Sequence, residues 1–158
     1  MSRQIAPAPI RRTVLVAASP ERSFATFVER MHVWWNPAGH LLKLPVTAMV
    51  VEPFEGGRWY EKGDDGVVAD WGQVLVWDPP KRLVLSWGPP PGFSKGGGDD
   101  FSELEVNFVP EGETTRINLE QRYLERFGEA GHALRAALES SGGWPRALKL
   151  IAADAVAH

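Results

Sequence analysis

From Val46 to Leu124 apolar and polar residues alternate with a period of two, and on either side of that block the period lengthens to that of a helix. The alternating block divides into "VTAMVVE" (46–52), "RWYEK" (58–62), "VVADWGQVLVW" (67–77), "RLVLSW" (82–87), "FSELEVNFV" (101–109) and "TTRINLEQRYL" (114–124). The connections "PFEGG", "GDDG", "DPPK" and "PEGE" are short and rich in turn residues, which predicts hairpins between consecutive strands and therefore an antiparallel meander. The longer "GPPPGFSKGGGDD" (88–100) has little to anchor it and is expected to be mobile. Upstream, "IRRTVLVAA" reads as one more strand. "SPER" then carries a helix start, with Ser19 as cap, Pro20 at the first position and Glu21 at the positive end. Phe24, Phe27, Val28 and Met31 recur at helical spacing, which predicts an amphipathic helix over 20–31, ended beyond Trp34 and Trp35 by Pro37 and Gly39. Downstream, 128–140 is Ala- and Leu-rich, though Gly131 weakens it. In 144–157, Trp144, Leu148, Ile151 and Ala155 fall on one stripe. The predicted order is strand, helix, six strands and helix, an α+β domain with helix packed on one sheet face.

Composition narrows the function classes. A chain of 158 residues is expected to form one domain, 10–158, behind a flexible arm at 1–9. A net charge of −3, with basic and acidic residues interspersed, gives no field for nucleic acid. The absence of cysteine removes disulfides, thiolate metal sites and cysteine nucleophiles together. The N-terminal "MSRQIAPAPIRR" has no apolar core and no stretch approaches 18 apolar residues, so a cytoplasmic protein with no membrane partner is expected. His32, His40, His132 and His158 are dispersed without ligand spacing, and "KGDDG" reads as a hairpin turn rather than a calcium loop. No metal and no cofactor are expected. Chelator treatment should leave the melting temperature unchanged, and a drop that zinc reverses would reveal a site.

Parity assigns the candidate polar residues. Thr115, Ile117, Leu119, Gln121 and Tyr123 share a face, so Gln121 is expected to point toward the helix and either orient a ligand or bond a neighbouring backbone group. Gln73 is the second candidate amide. "RLVLSW" points Leu83, Leu85 and Trp87 inward, whereas "QVLVW" is apolar on both faces and leaves its register open. Asp70 and Glu61 are the carboxylates available for acid–base work, each read more simply as a surface charge at a strand edge. The "EGG" turn is expected to place Gly57 at positive φ.

Four stretches, "SPERSFATFVERMHVWWNP", "EPFEGGRWYE", "WGQVLVWDPPKRLVLSW" and "SGGWPRALKLIA", carry a resemblance over about residues 10–156. They resemble the activator of heat-shock protein 90 ATPase homologue family, within the START-related helix-grip (SRPBCC) superfamily. The resemblance implies a curved antiparallel sheet of six to seven strands wrapped around a long C-terminal helix, with an internal cavity. The chaperone activator carries a further N-terminal domain, so a stand-alone, bacterial-style single domain is expected. The implied cavity would be bounded by Trp35, Met49, Trp59, Trp71, Leu85, Trp87, Phe108, Gln121, Tyr123 and Trp144, with Trp87 facing open space and the 88–100 loop gating it. The expected function is binding of an apolar, aromatic or polycyclic small molecule by a monomer or homodimer. The alternatives are a polyketide cyclase- or hydrolase-like enzyme acting on such a ligand, and a chaperone-interacting stress-response module.

Overall fold

In a computed structural model of the protein, residues 9–35, 45–88 and 101–157 are described. The expectations for residues 1–8, the end of the first helical run at Pro37 and Gly39, His40, His158 and residues 89–100 of the long loop lie outside them. The chain runs β1 (Ile10–Val16), α1 (Pro20–Glu29), α2 (Met31–Trp34), β2 (Val46–Val51), β3 (Arg58–Gly63), β4 (Val68–Asp78), β5 (Arg82–Trp87), β6 (Ser102–Glu111) and β7 (Thr114–Arg122). A 3-10 turn (Leu124–Phe127), α3 (Glu129–Glu139) and α4 (Trp144–Ala157) follow. The strands form one antiparallel sheet in the order β1-β7-β6-β5-β4-β3-β2. Six of them follow one another as a meander, and β1 closes on β7 with Ile10 opposite Gln121. This curled sheet with its C-terminal helix is the helix-grip architecture.

Local chemistry explains the ends of the helices. Ser19 Oγ accepts the Arg22 amide at 3.1 Å and Pro20 opens α1, as its sequence requires. The single helix expected over 20–31 is broken at Arg30, and α2 continues as a separate turn that carries Trp34 inward. α4 buries Trp144, Ala147, Leu148, Ile151 and Ala155, and packs on α1, α2 and β1. Arg30 and Asp154 join α1 to α4 through a paired ion contact, Nη2 to Oδ1 at 3.1 Å.

The register of β4, open in the sequence, is settled by two bulges. Against β3, Trp59 pairs with Gly72 and Tyr60 with Asp70, leaving Trp71 as the extra residue. Against β5, Val74 pairs with Leu85 and Val76 with Val84, leaving Leu75 extra. Each extra residue reverses the inward parity. Trp71 and Val74 are therefore both buried, Gln73 is exposed, and Trp77 turns back toward Phe24. The "EGG" expectation is corrected: Gly56, not Gly57, has positive φ, at 86°. Gly57 is constrained by space instead, since a Cβ there would lie 2.8 Å from Glu52 Cβ and 2.9 Å from the Glu52 and Phe54 carbonyl oxygens. Gly57→Val should therefore cost about 1–3 kcal/mol by overpacking, read from denaturant unfolding.

The sheet's outer face is tied by charge. Arg122 reaches Glu103, Glu105 and Glu120 at 3.0, 2.7 and 2.8 Å, while Arg82 reaches Glu105 and Arg11 reaches Glu120, both at 2.8 Å. Partial burial would raise the Glu105 carboxyl, but hydrogen bonds from Arg82, Arg122 and Asn107 outweigh it and hold it down at about 2. A carboxyl that titrates lower folded than unfolded contributes stability above its ordinary 4.5, and that stability is lost as pH falls toward the folded value. Melting temperature should drop between about pH 5 and 2, and less steeply in Glu105→Gln, when followed by circular dichroism.

Candidate functional site

Six of the seven tryptophans meet at one end of the sheet. Trp59, Trp71 and Trp87 come from β3, β4 and β5, Trp34 and Trp35 from α2 and its end, and Trp144 from the first turn of α4. Trp87 touches four of the others: Trp35 at 5.1 Å between ring centroids, Trp59 at 5.3 Å, and Trp71 and Trp144 at 5.8 Å each. Trp35 stacks on Trp87 at 26° and meets Trp71 at 4.9 Å. Offset and edge-to-face contacts of this kind favour the cluster beyond its buried area. Met49, opposite Glu61 on β2, and Leu85 on β5 are buried in the same core. Trp87, expected to face open space, is 6% exposed and meets these four indoles.

Four indole N–H groups are satisfied from within. Trp34 donates to the Phe27 carbonyl at 3.2 Å, Trp59 to Met31 Sδ at 3.2 Å, Trp71 to Glu61 Oε1 at 2.8 Å and Trp144 to Gln121 Oε1 at 2.9 Å. Gln121 also donates to Ser102 Oγ at 3.4 Å, and Ser102 donates to the Trp87 carbonyl at 3.2 Å. The sheet therefore grips α4 through a polar clasp between side chains, where the sequence offered a ligand or a backbone group. Trp35 differs. It is 6% exposed, and its Nε1 has no hydrogen-bond partner among the described residues. A buried donor left without an acceptor costs roughly 1–3 kcal/mol.

Glu61 was misread as a surface charge. It is fully buried on β3, two residues beyond Trp59 and therefore on the same face. The parity of "RWYEK" held that signal: with Trp59 inward, Glu61 must be inward too. Asp70, by contrast, lies outside and pairs with Arg58 at 2.8 Å. Two expected cavity residues stand elsewhere. Phe108 is buried with Phe24 and Phe27 beneath α1. Tyr123 is 38% exposed, because β7 stops at Arg122 and Tyr123 takes a left-handed φ of 67°. That turn breaks the alternation and lays the ring against the Arg126 guanidinium, 4.2 Å from its centroid.

Among the described residues, further clefts lie outside the tryptophan cluster. A cleft of about 410 Å³ lies between α1 and β4, lined by Phe24, Val28, Trp77, Glu21 and Glu29 among others. Another, of about 690 Å³, lies on the outer face near Arg58, Asp70, Glu103 and Arg126. Among the described residues no group of three or more His, Asp or Glu is placed to hold a metal ion, and no helix is long and apolar enough to cross a membrane.

The sequence profile of the activator of Hsp90 ATPase homolog 1-like protein family matches residues 17–154. The chain belongs to this family. Among solved structures, the family member is similar to an anthrahydroquino-gamma-pyrone synthase, Txn09, complexed with SUM, at 36% identity over 94% of this chain and 97% of that one, TM-score 0.65. It is also similar to CalC from Micromonospora echinospora, a self-sacrificing resistance protein, at 30% identity over 93% of each chain, TM-score 0.65. Protein MLL2253 from Mesorhizobium loti, at 16% identity over 95% and 97% of the two chains with TM-score 0.67, shares the fold. Comparison with curated proteins gives no match.

Proposed function

We propose that this protein binds a planar, largely apolar aromatic or polycyclic small molecule among the tryptophans at the α2 end of the sheet. The observation that carries the reading is the Trp35 indole N–H, buried in an aromatic cluster with no acceptor among the described residues. A carbonyl or ether oxygen on a ligand supplies that acceptor, and the surrounding indoles supply apolar area and stacking faces. The rings touch one another, so the ligand enters by parting them. The named activity of Txn09, synthesis of an anthrahydroquino-gamma-pyrone, concerns a polycyclic aromatic molecule and supports the same ligand class at 36% identity.

The test is titration with 2-methoxyanthraquinone, followed by quenching of tryptophan emission. Wild type should bind saturably, and Trp35→Phe, which keeps a ring but lacks the donor, should bind roughly 3- to 10-fold more weakly. Absence of saturable quenching would overturn the reading. A second reading, an enzyme acting on such a ligand, is favoured by Glu61. A buried carboxylate beside an aromatic site is the residue type that moves protons in general acid–base catalysis.

A further inference from the structure

The cleft of about 410 Å³ between α1 and β4 has a chemistry of its own. On α1, Glu21, Phe24, Val28 and Glu29 recur at helical spacing and fall on the stripe that lines it. Val51 of β2 and the half-buried Trp77 of β4 line it too. The stripe is apolar in the middle and acidic at both ends, and no Lys, Arg or His is among the lining residues. At the helical rise, the two glutamates stand about 12 Å apart along α1. Both are exposed, and neither has an ion-pair or hydrogen-bond partner among the described residues. Glu21 suits the positive end of α1. Glu29 does not: it sits at the negative end, and no basic residue in the last turn offsets it. An acid there is unfavourable, and a cation seated beside it removes the conflict.

We infer that this cleft is a second binding site, which takes a small organic dication: an apolar chain with a positive group at each end, about 12 Å apart. The chain lies against Phe24, Val28, Val51 and Trp77, and its ends meet Glu21 and Glu29. The cleft's volume of about 410 Å³ falls within the range of small-molecule sites, about 300–1,000 Å³. A protein partner would need a far larger contact, roughly 800 Å² on each side. The site uses none of the tryptophans proposed to hold the aromatic ligand, so it stands or falls separately from that reading.

The experiment is isothermal titration of the full chain, at low ionic strength and neutral pH, with 1,8-octanediammonium, whose ends span a similar distance. Three controls separate its features: 1,8-octanediol has the length without the charge, octanedioate reverses the charge, and 1,4-butanediammonium is too short to reach both glutamates. The long diammonium should bind saturably, about 5- to 20-fold more tightly than the diol or the short diammonium, and octanedioate should not bind. Its advantage over the diol should shrink as salt is raised, because exposed charges are screened. Glu21→Gln and Glu29→Gln should each weaken it about 2- to 5-fold, and the double variant should hold it about as weakly as the diol. Both positions are exposed, so the variants should melt near the wild-type temperature, and the comparison of probes on wild type needs no variant. Equal affinity for the long diammonium and the diol, or for the long and short diammonium, overturns the inference. So does unchanged affinity in the double variant, binding of octanedioate as strong as that of the diammonium, or the absence of saturable binding. Each of these outcomes leaves the aromatic-ligand reading standing.

Discussion

Trp87→Ala should destabilise the protein by about 3–5 kcal/mol and remove binding of 2-methoxyanthraquinone. Four indoles rest against this side chain, from β3, β4, α2 and α4. Its removal therefore empties a contact shared by both sheet and helices rather than enlarging a space already present. Cavity cost rises with how poorly the surroundings collapse, and rings fixed by their own N–H bonds to Phe27, Met31, Glu61 and Gln121 collapse poorly. Denaturant unfolding and probe titration on the same variant check both halves. A cost below about 2 kcal/mol would mean that the surrounding rings close the gap, and retained binding would place the ligand elsewhere.

Gly72→Ala should be more damaging still, upwards of about 4 kcal/mol, in the range where a single change removes most of a domain's stability. A Cβ at this position would lie 1.9 Å from the Ser86 carbonyl oxygen and 2.7 Å from its carbon. Both are backbone atoms of the neighbouring strand, so no rotamer change relieves the overlap. The strands must separate, and the contact between Ser86 Oγ and the Gln73 amide, at 2.8 Å, is lost with them. Gly72 is also the residue next to the Trp71 bulge, so the same separation withdraws Trp71 from the cluster. Circular dichroism and soluble yield of the variant provide the measurement. Near-native melting would show that β4 and β5 tolerate a wider spacing here.

Much of this was legible in the sequence, and the exceptions have identifiable physical causes. Period-two runs placed six of the seven strands and a β-branched run placed β1, and β5, Arg82–Trp87, coincides with its predicted range. Alternation in β7 correctly turned Ile117, Leu119 and Gln121 inward. It failed one step later, at Tyr123, because a left-handed residue ends the strand and no glycine announced it. In β4 the alternation was ambiguous for a different reason: Trp71 and Leu75 are each unmatched across a different neighbour, and a bulge leaves no residue-type signature in a chain with no partner to compare. Glu61 was missed because residue type was weighed above parity. A charged side chain is rarely buried, and that expectation overrode the position two residues from Trp59. The site itself depends on pairs such as Trp35 with Trp87, distant in sequence, whose meeting is set by sheet curvature and by the docking of α2.

The gathering of six tryptophans has an optical consequence. Indoles separated by 5–6 Å between centroids exchange excitation faster than they emit, and their coupled transitions give intense signals in near-ultraviolet circular dichroism. Excitation absorbed anywhere in the group drains to whichever ring lies lowest in energy. A molecule seated against any one of them therefore quenches the emission of all, and the spectrum changes sign or shape when a single ring rotates. Trp77 packs elsewhere, edge-on against Phe24 at 5.2 Å. The protein thus carries its own reporter, in which the emission of the cluster reads occupancy without a label.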